Sequence, residues 1–303
     1  MIARGLQRFV HTGGILWQSS SKSQLAKLRK KTGYTFSNCK KALELHDNDL
    51  VKAEAWLREQ AQALGWSKAE KLQGRTTAQG LIVVMVEKNH GALVEINCET
   101  DFVARNKQFH GLAETVVSAV LRKAGEIPGK ELINRATLDA DALKALHAAD
   151  GKSLADHSAL TIGSVGENIG VKRALCVSVA PDVKLAGCTH PAPVDPLPAS
   201  FGKYGAILAY RSAGNDDELL GTQLCQHIIG MNPTKIGHPD VDQPASNADD
   251  ENAMIYQEYL LDPSLTVQQV LMDSQTEILD FARFEMGESV ELGQNLESVE
   301  TCG

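Results

Sequence analysis

Two apolar runs, Gly80 to Glu87 and Ala92 to Cys98, flank Lys88-Asn89-His90-Gly91, and beyond them the chain changes period. They read as the strands of a hairpin, with Leu93, Val94 and Ile96 marking the second. From Phe109 the apolar residues fall at Phe109, Leu112, Val116, Val117, Val120 and Leu121, the spacing of one helical face. A strand period that becomes a helix period forces a tight connection through Asn97-Cys98-Glu99-Thr100-Asp101-Phe102-Val103-Ala104-Arg105-Asn106, which Thr100, Asp101 or Asn106 can cap. Phe102 sits inside that connection, where a chain normally runs over the surface and is polar. Two readings follow: a staple folded back on its own helix, or a presented aromatic wedge.

The unit recurs downstream. Val183 to Cys188 reads as a strand, and Tyr204-Gly205-Ala206-Ile207-Leu208 echoes His90-Gly91-Ala92-Leu93-Val94. A helix follows from about Asp217 to Ile229, and Ile278 to Glu285 supplies a closing strand. Between the two units, after Pro128, the pattern gives helices near Leu138 to Leu146 and Leu154 to Ile162, then a strand from Val171 to Val179. The stretch Pro191 to Pro198 reads as a loop, and the acidic, Pro-containing stretch Met231 to Glu251 as irregular or mobile.

Upstream, residues 24 to 60 read as three short helices. Leu25 and Leu28 mark the first, Thr32-Gly33-Tyr34 a turn, and Phe36, Cys39, Ala42 and Leu43 the second. Asp47, Asn48 or Asp49 caps the third, which carries Val51, Ala55, Trp56 and Leu57. Gln62 to Thr77, with Lys68, Lys71 and Arg75 among small residues, has little apolar periodicity and reads as a linker, helical in part.

Composition excludes several function classes. A chain of 303 residues with 43% apolar composition buries a substantial core in more than one domain. No apolar run reaches the roughly 18 residues of a membrane span. The six cysteines are scattered, several of them inside apolar runs, which is thiol usage rather than a disulfide framework. Residues 1 to 43 hold nine Lys or Arg and no acid, leaving 21 bases against 38 acids in the remainder. That acidic body does not suit phosphate-backbone binding. Met1 to Val10 sets Arg4 and Arg8 apart from Ile2, Leu6, Phe9 and Val10, and Ser19-Ser20-Ser21 follows, a pattern that fits a mitochondrial transit peptide better than a secretory signal. The alternative is a disordered basic tail.

Competing chemistries lack their partners. Gly151-Lys152-Ser153 ends like a phosphate-binding loop, but the glycine needed five residues earlier is Leu146. Cys188-Thr189-His190 and Cys225-Gln226-His227 match no common zinc spacing. Cys98 with His90 has neither an orienting acid nor an oxyanion-hole signature.

The run Asn97 to Phe109 resembles the signature of the elongation factor Ts family, the guanine nucleotide exchange factors of elongation factor Tu in bacteria and organelles. Further resemblances lie in Thr32-Gly33, in Cys39-Lys40-Lys41-Ala42-Leu43, in Gly166-Glu167-Asn168-Ile169 with Lys172-Arg173, and in Phe281-Ala282-Arg283-Phe284-Glu285-Met286-Gly287-Glu288. Bacterial members insert a long helical hairpin before the closing strand, and this chain lacks the length for it, as mitochondrial members do.

The resemblance implies an α+β fold: an N-terminal three-helix domain similar to ubiquitin-associated domains, then a core of two similar halves, each a small antiparallel sheet with helices packed on it. The boundaries expected are a leader over 1–21, the three-helix domain over 22–61, a linker over 62–78, core halves over 79–181 and 182–292, and a tail over 293–303. The partner implied is mitochondrial elongation factor Tu in the matrix, contacted by Thr100, Asp101, Phe102 and Val103, by Phe36 and Ser37, and by His227. Asp101 and Phe102 would enter beside the partner's nucleotide and magnesium. Phe36 can equally be core filler, and His227 a surface histidine without a role. No catalytic residue, cofactor, metal, nucleic acid or membrane is expected. A ubiquitin-type adaptor is the alternative that the three-helix unit alone would suggest.

Overall fold

The computed structural model describes residues 16–192, 198–213 and 217–289. The tail 293–303, most of the leader 1–21 and the middle of the Pro191 to Pro198 loop lie outside the described residues.

The N-terminal unit consists of α1 (Leu16–Thr32), α2 (Phe36–Leu45) and α3 (Leu50–Leu72). Thr35 caps α2 and Asp49 caps α3 through side-chain oxygens that accept backbone N–H groups. Leu28, Tyr34, Cys39, Ala42, Leu43, Ala53, Leu57 and Ala61 form its small core.

The segment expected as a linker, helical in part, is helix as far as Leu72, one continuous rod with the third helix. The rod lies across α7 (Leu154–Val165). A Cβ on Gly65 would come within 2.5 Å of the Ala159 carbonyl oxygen, and one on Gly163 within 2.6 Å of that of Ala61. Trp66 Nε1 donates to Asp156 at 3.2 Å and Lys68 Nζ to the Gly163 carbonyl at 2.9 Å. Such backbone-to-backbone approach needs small residues rather than an apolar stripe, which is why the periodicity is faint there.

The core has four layers. A five-stranded antiparallel sheet runs in the order β3 (Ile133–Asp139), β4 (Ile169–Val179), β2 (His90–Cys98), β1 (Gln79–Glu87), β6 (Ala199–Gly202). A three-stranded sheet runs β10 (Thr276–Glu285), β7 (Tyr204–Ser212), β5 (Lys184–His190). Helices α5 (Lys107–Gly125) and α7 cover the outer face of the first sheet, and α8 (Asp217–Met231) that of the second.

Alternation along the strands explains the layering. Val83, Ala92, Val94 and Ile96 face α5, whereas Ile82, Val84 and Leu93 meet Ile207 and Ala209 between the sheets. Ala206, Leu208 and Tyr210 face α8. The repeated glycines lie at the sheet-to-sheet contact. A Cβ on Gly205 would strike Ile82 at 2.6 Å, and one on Gly91 would press on Ile207 at 3.3 Å.

Several elements depart from expectation. The helix expected near Leu138 to Leu146 is the short α6 (Ala140–Ala145), and an edge strand that was not expected, β3, runs into it. Strand β6, from the second half of the sequence, pairs with β1 of the first sheet, Ile82 opposite Gly202, so the halves share a sheet. Residues 232–253 are irregular apart from one 3-10 turn, Ala248–Asp250. Beyond them come a hairpin, β8 (Glu258–Tyr259) with β9 (Asp262–Thr266), and α9 (Val267–Asp273).

A buried carboxylate ties the end of the chain to the first half. Glu95 is fully buried and accepts from Arg173 Nε at 2.7 Å, the Gly287 amide at 2.9 Å, and Lys172 and Asn97 at 3.2 Å. Burial pushes its pKa up, but the Gly287 amide and the Arg173 guanidinium prevail and hold it below the usual carboxylate range.

Candidate functional site

The connection that the sequence singled out is two capped helices in succession. Thr100 caps α4 (Asp101–Ala104), with Oγ1 accepting the Val103 N–H at 3.4 Å, and Asn106 caps α5, with Oδ1 accepting the Gln108 N–H at 2.8 Å. Asp101 is the first residue of α4 rather than its cap. Val103 and Ala104 point inward and join the core beneath α5. Phe102 points the other way and is 81% exposed. It is therefore not a staple: its helix packs without it, and Phe109, Leu112, Val116, Val117, Val120 and Leu121 are all buried.

Exposing a phenyl ring forfeits roughly 1.5 to 3 kcal/mol of burial. Around it the turn is firmly held. Thr100 donates its N–H at 3.0 Å and its hydroxyl at 2.7 Å to the two carboxylate oxygens of Glu167. The Asn168 N–H donates to Glu99 at 2.7 Å, and Arg75 approaches Glu99 at 3.5 Å. From below, His110 Nε2 meets the Ala104 carbonyl at 2.9 Å, and the His110 ring lies 4.9 Å from that of Phe201. Asp101 pairs with Arg105 at 2.8 Å, both in solvent, so the carboxylate is available at the surface.

The N-terminal unit meets this turn. Asn106 Nδ2 donates to the Gly33 carbonyl at 3.1 Å, and Gln108 Nε2 donates to that of Thr32. Phe36 and Ser37 open α2 just beyond that joint. Phe36 is 55% exposed and Ser37 is exposed, so Phe36 is not core filler. The joint ties the start of α5 to the turn that precedes α2. Glu167, Asn168 and Arg75 were not singled out as site residues, although Gly166-Glu167-Asn168-Ile169 carried part of the family resemblance.

His227 does not belong with them. It is fully buried in the second half, with Nε2 against Gln257 Oε1 at 3.0 Å and Nδ1 accepting the Leu260 N–H at 3.2 Å, its ring stacked on Tyr259. Nδ1 is the acceptor, so Nε2 carries the hydrogen and donates to Gln257. Burial lowers its pKa. The expected partner contact and the surface alternative are both corrected: the ring pins the hairpin at Leu260 to α8.

The thiols among the described residues are core groups. Cys98 donates to the Thr100 carbonyl at 3.2 Å, and burial pushes its pKa up to about 12, which removes the thiolate a nucleophile needs. Burial raises the pKa of Cys225 well above the usual thiol value, and the neighbouring Cys188 adds to the rise. His227 is turned away to Gln257, and among the described residues no three His, Cys, Asp or Glu side chains converge on a metal-sized site.

The family model described as "Elongation factor Ts, mitochondrial, N-terminal" matches residues 7–67, and the model "Elongation factor TS" matches residues 99–251. The protein named elongation factor Ts, mitochondrial, of Aedes aegypti is 52% identical over 299 residues, covering 96% of this chain and 97% of the relative. The Drosophila melanogaster protein of the same name is 47% identical, covering 99% and 97%. The Homo sapiens protein of that name is 41% identical, covering 91% and 86%. With these matches spanning nearly its whole length, the chain belongs to the elongation factor Ts family, mitochondrial type.

Proposed function

We propose that the chain is a guanine nucleotide exchange factor for mitochondrial elongation factor Tu and works in the mitochondrial matrix during translation elongation. One observation carries the reading: an aromatic ring, 81% exposed, stands on a single helical turn that is hydrogen-bonded to the body on two sides. A ring presented in this way costs little to order on binding and suits the centre of an interface. Phe102 enters the partner beside its nucleotide, while Asp101 competes for groups that support the magnesium site. Phe36 and Ser37 rest on the same partner.

Exchange needs no bond-making by this chain. It binds the GTPase in a form that has lost magnesium and phosphate contacts, and by linkage it weakens GDP by the factor by which GDP weakens it. Catalytic amounts should therefore speed GDP release from mitochondrial elongation factor Tu, while the isolated chain holds neither GDP nor GTP. Tight nucleotide binding by the isolated chain contradicts this. Capture of ubiquitin but not of elongation factor Tu by the mature chain would establish the adaptor alternative instead.

A further inference from the structure

We propose that Glu167 is a positioning residue for the wedge: its carboxylate fixes Thr100 at the cap of α4 and so sets where Asp101 and Phe102 stand. The inference rests on the exchange reading above.

Helix α4 has only four residues, fewer than a helix needs to hold itself in water. Its own cap bond, Val103 N–H to Thr100 Oγ1, is long at 3.4 Å. What holds Thr100 is Glu167, which takes both donors of that residue on separate oxygens, at 3.0 and 2.7 Å. Bonds to a carboxylate are the stronger kind, and two of them fix direction as well as distance. With its hydrogen given to Glu167, the Thr100 hydroxyl keeps its lone pairs for the Val103 amide.

Glu167 reaches this place because α7 ends at Gly166, whose φ of +81 turns the chain back sharply. The next residue then binds in the opposite sense: the Asn168 N–H donates to Glu99 at 2.7 Å, and Asn168 Nδ2 donates to the Arg75 carbonyl at 2.9 Å. Glu99 and Thr100 are thus gripped by successive residues of one loop, just before the wedge begins. Through α7 the grip continues to α3, so the turn is referenced to the N-terminal unit as well as to the sheet.

The test uses the full mature chain. Hydrogen exchange read by NMR at the Thr100 and Val103 amides reports the grip, and stopped-flow GDP release from mitochondrial elongation factor Tu, over a range of chain concentrations, reports its use. In Glu167→Ala both amides should exchange at least about tenfold faster, and the saturating release rate should fall roughly ten- to a hundredfold, the scale of a misplaced acting group. The half-saturating concentration should move less. Glu167→Gln, which keeps one acceptor oxygen, should lie between. Glu167→Ala combined with Thr100→Val should slow GDP release by less than the product of the two single effects, since the hydroxyl-to-carboxylate bond is lost in each. Amides as protected in Glu167→Ala as in the unmodified chain, or effects that multiply in the double variant, overturn the inference. Failure of the exchange reading shows separately, as an unmodified chain that leaves GDP release unchanged, and it removes the functional half of this inference too.

Discussion

Phe102 and His227 belong to the two copies of one strand-and-helix unit, and the copies use them in opposite ways. In the first, β2 leads through a doubly capped turn into α5, and the aromatic ring at the turn is 81% exposed. In the second, β7 leads to α8, and the imidazole on that helix is fully buried, bonded at both nitrogens. A helix that covers a sheet has its inward positions dictated by packing, so a polar side chain there must be satisfied internally. A connection between elements is freer, and there a ring can be turned outward while its neighbours Val103 and Ala104 anchor the backbone. The unit recurs in shape, and in the first copy the turn carries an outward ring.

The comparison breaks most visibly at His227. Replacing it by alanine strands the Leu260 amide and Gln257 and leaves a cavity, so urea unfolding should show a loss of about 2 to 4 kcal/mol, with GDP release per folded molecule unchanged. Gly163→Ala should cost about 1 to 3 kcal/mol in the same assay, because its Cβ meets a backbone oxygen that must move.

A pH titration gives a smaller effect of defined sign. Burial lowers the folded-state pKa of His227 below its ordinary 6.5, so the unfolded chain takes up the proton first. The contribution of this residue is intact above about pH 6.5 and is lost as pH falls below it towards the folded value. Melting temperature should therefore fall from pH 7 to pH 5.5, and a His227→Gln chain should lose part of that slope. Asp101→Asn should leave melting unchanged, since its ion pair with Arg105 is solvent-exposed. It should weaken the complex by under about 1 kcal/mol while slowing exchange more than that loss accounts for.

The turn that carries Phe102 was legible because its signals are local. Thr100 and Asn106 cap, Phe109 to Leu121 keep helical period, and a large apolar residue between them is out of place. The outward direction of the ring was not legible, because a ring packed on its own helix and a ring turned to solvent share one pattern; the contacts of Val103 and Ala104 exclude the first. The α3 rod was obscured by packing on Ala61, Gly65, Ala159 and Gly163, which leaves no apolar stripe. Edge strand β3 has no fully buried residue and only three large apolar or small side chains among polar ones, and the four residues of β6 are too few to announce that they cross to the other sheet. His227 could not be placed because burial of a lone histidine depends on Gln257 and Leu260, some thirty residues away. Glu167 stands 67 residues from Thr100, and no spacing rule connects them.

The central claim is that Phe102 serves the partner and not the fold. Thermal unfolding of the Phe102→Ala chain, measured beside its GDP-release rate on mitochondrial elongation factor Tu, tests it directly. An unchanged melting temperature with exchange lowered by about 2 to 4 kcal/mol, or roughly thirty- to a thousandfold, is the predicted result. A large fall in melting temperature with normal exchange per folded molecule would contradict it.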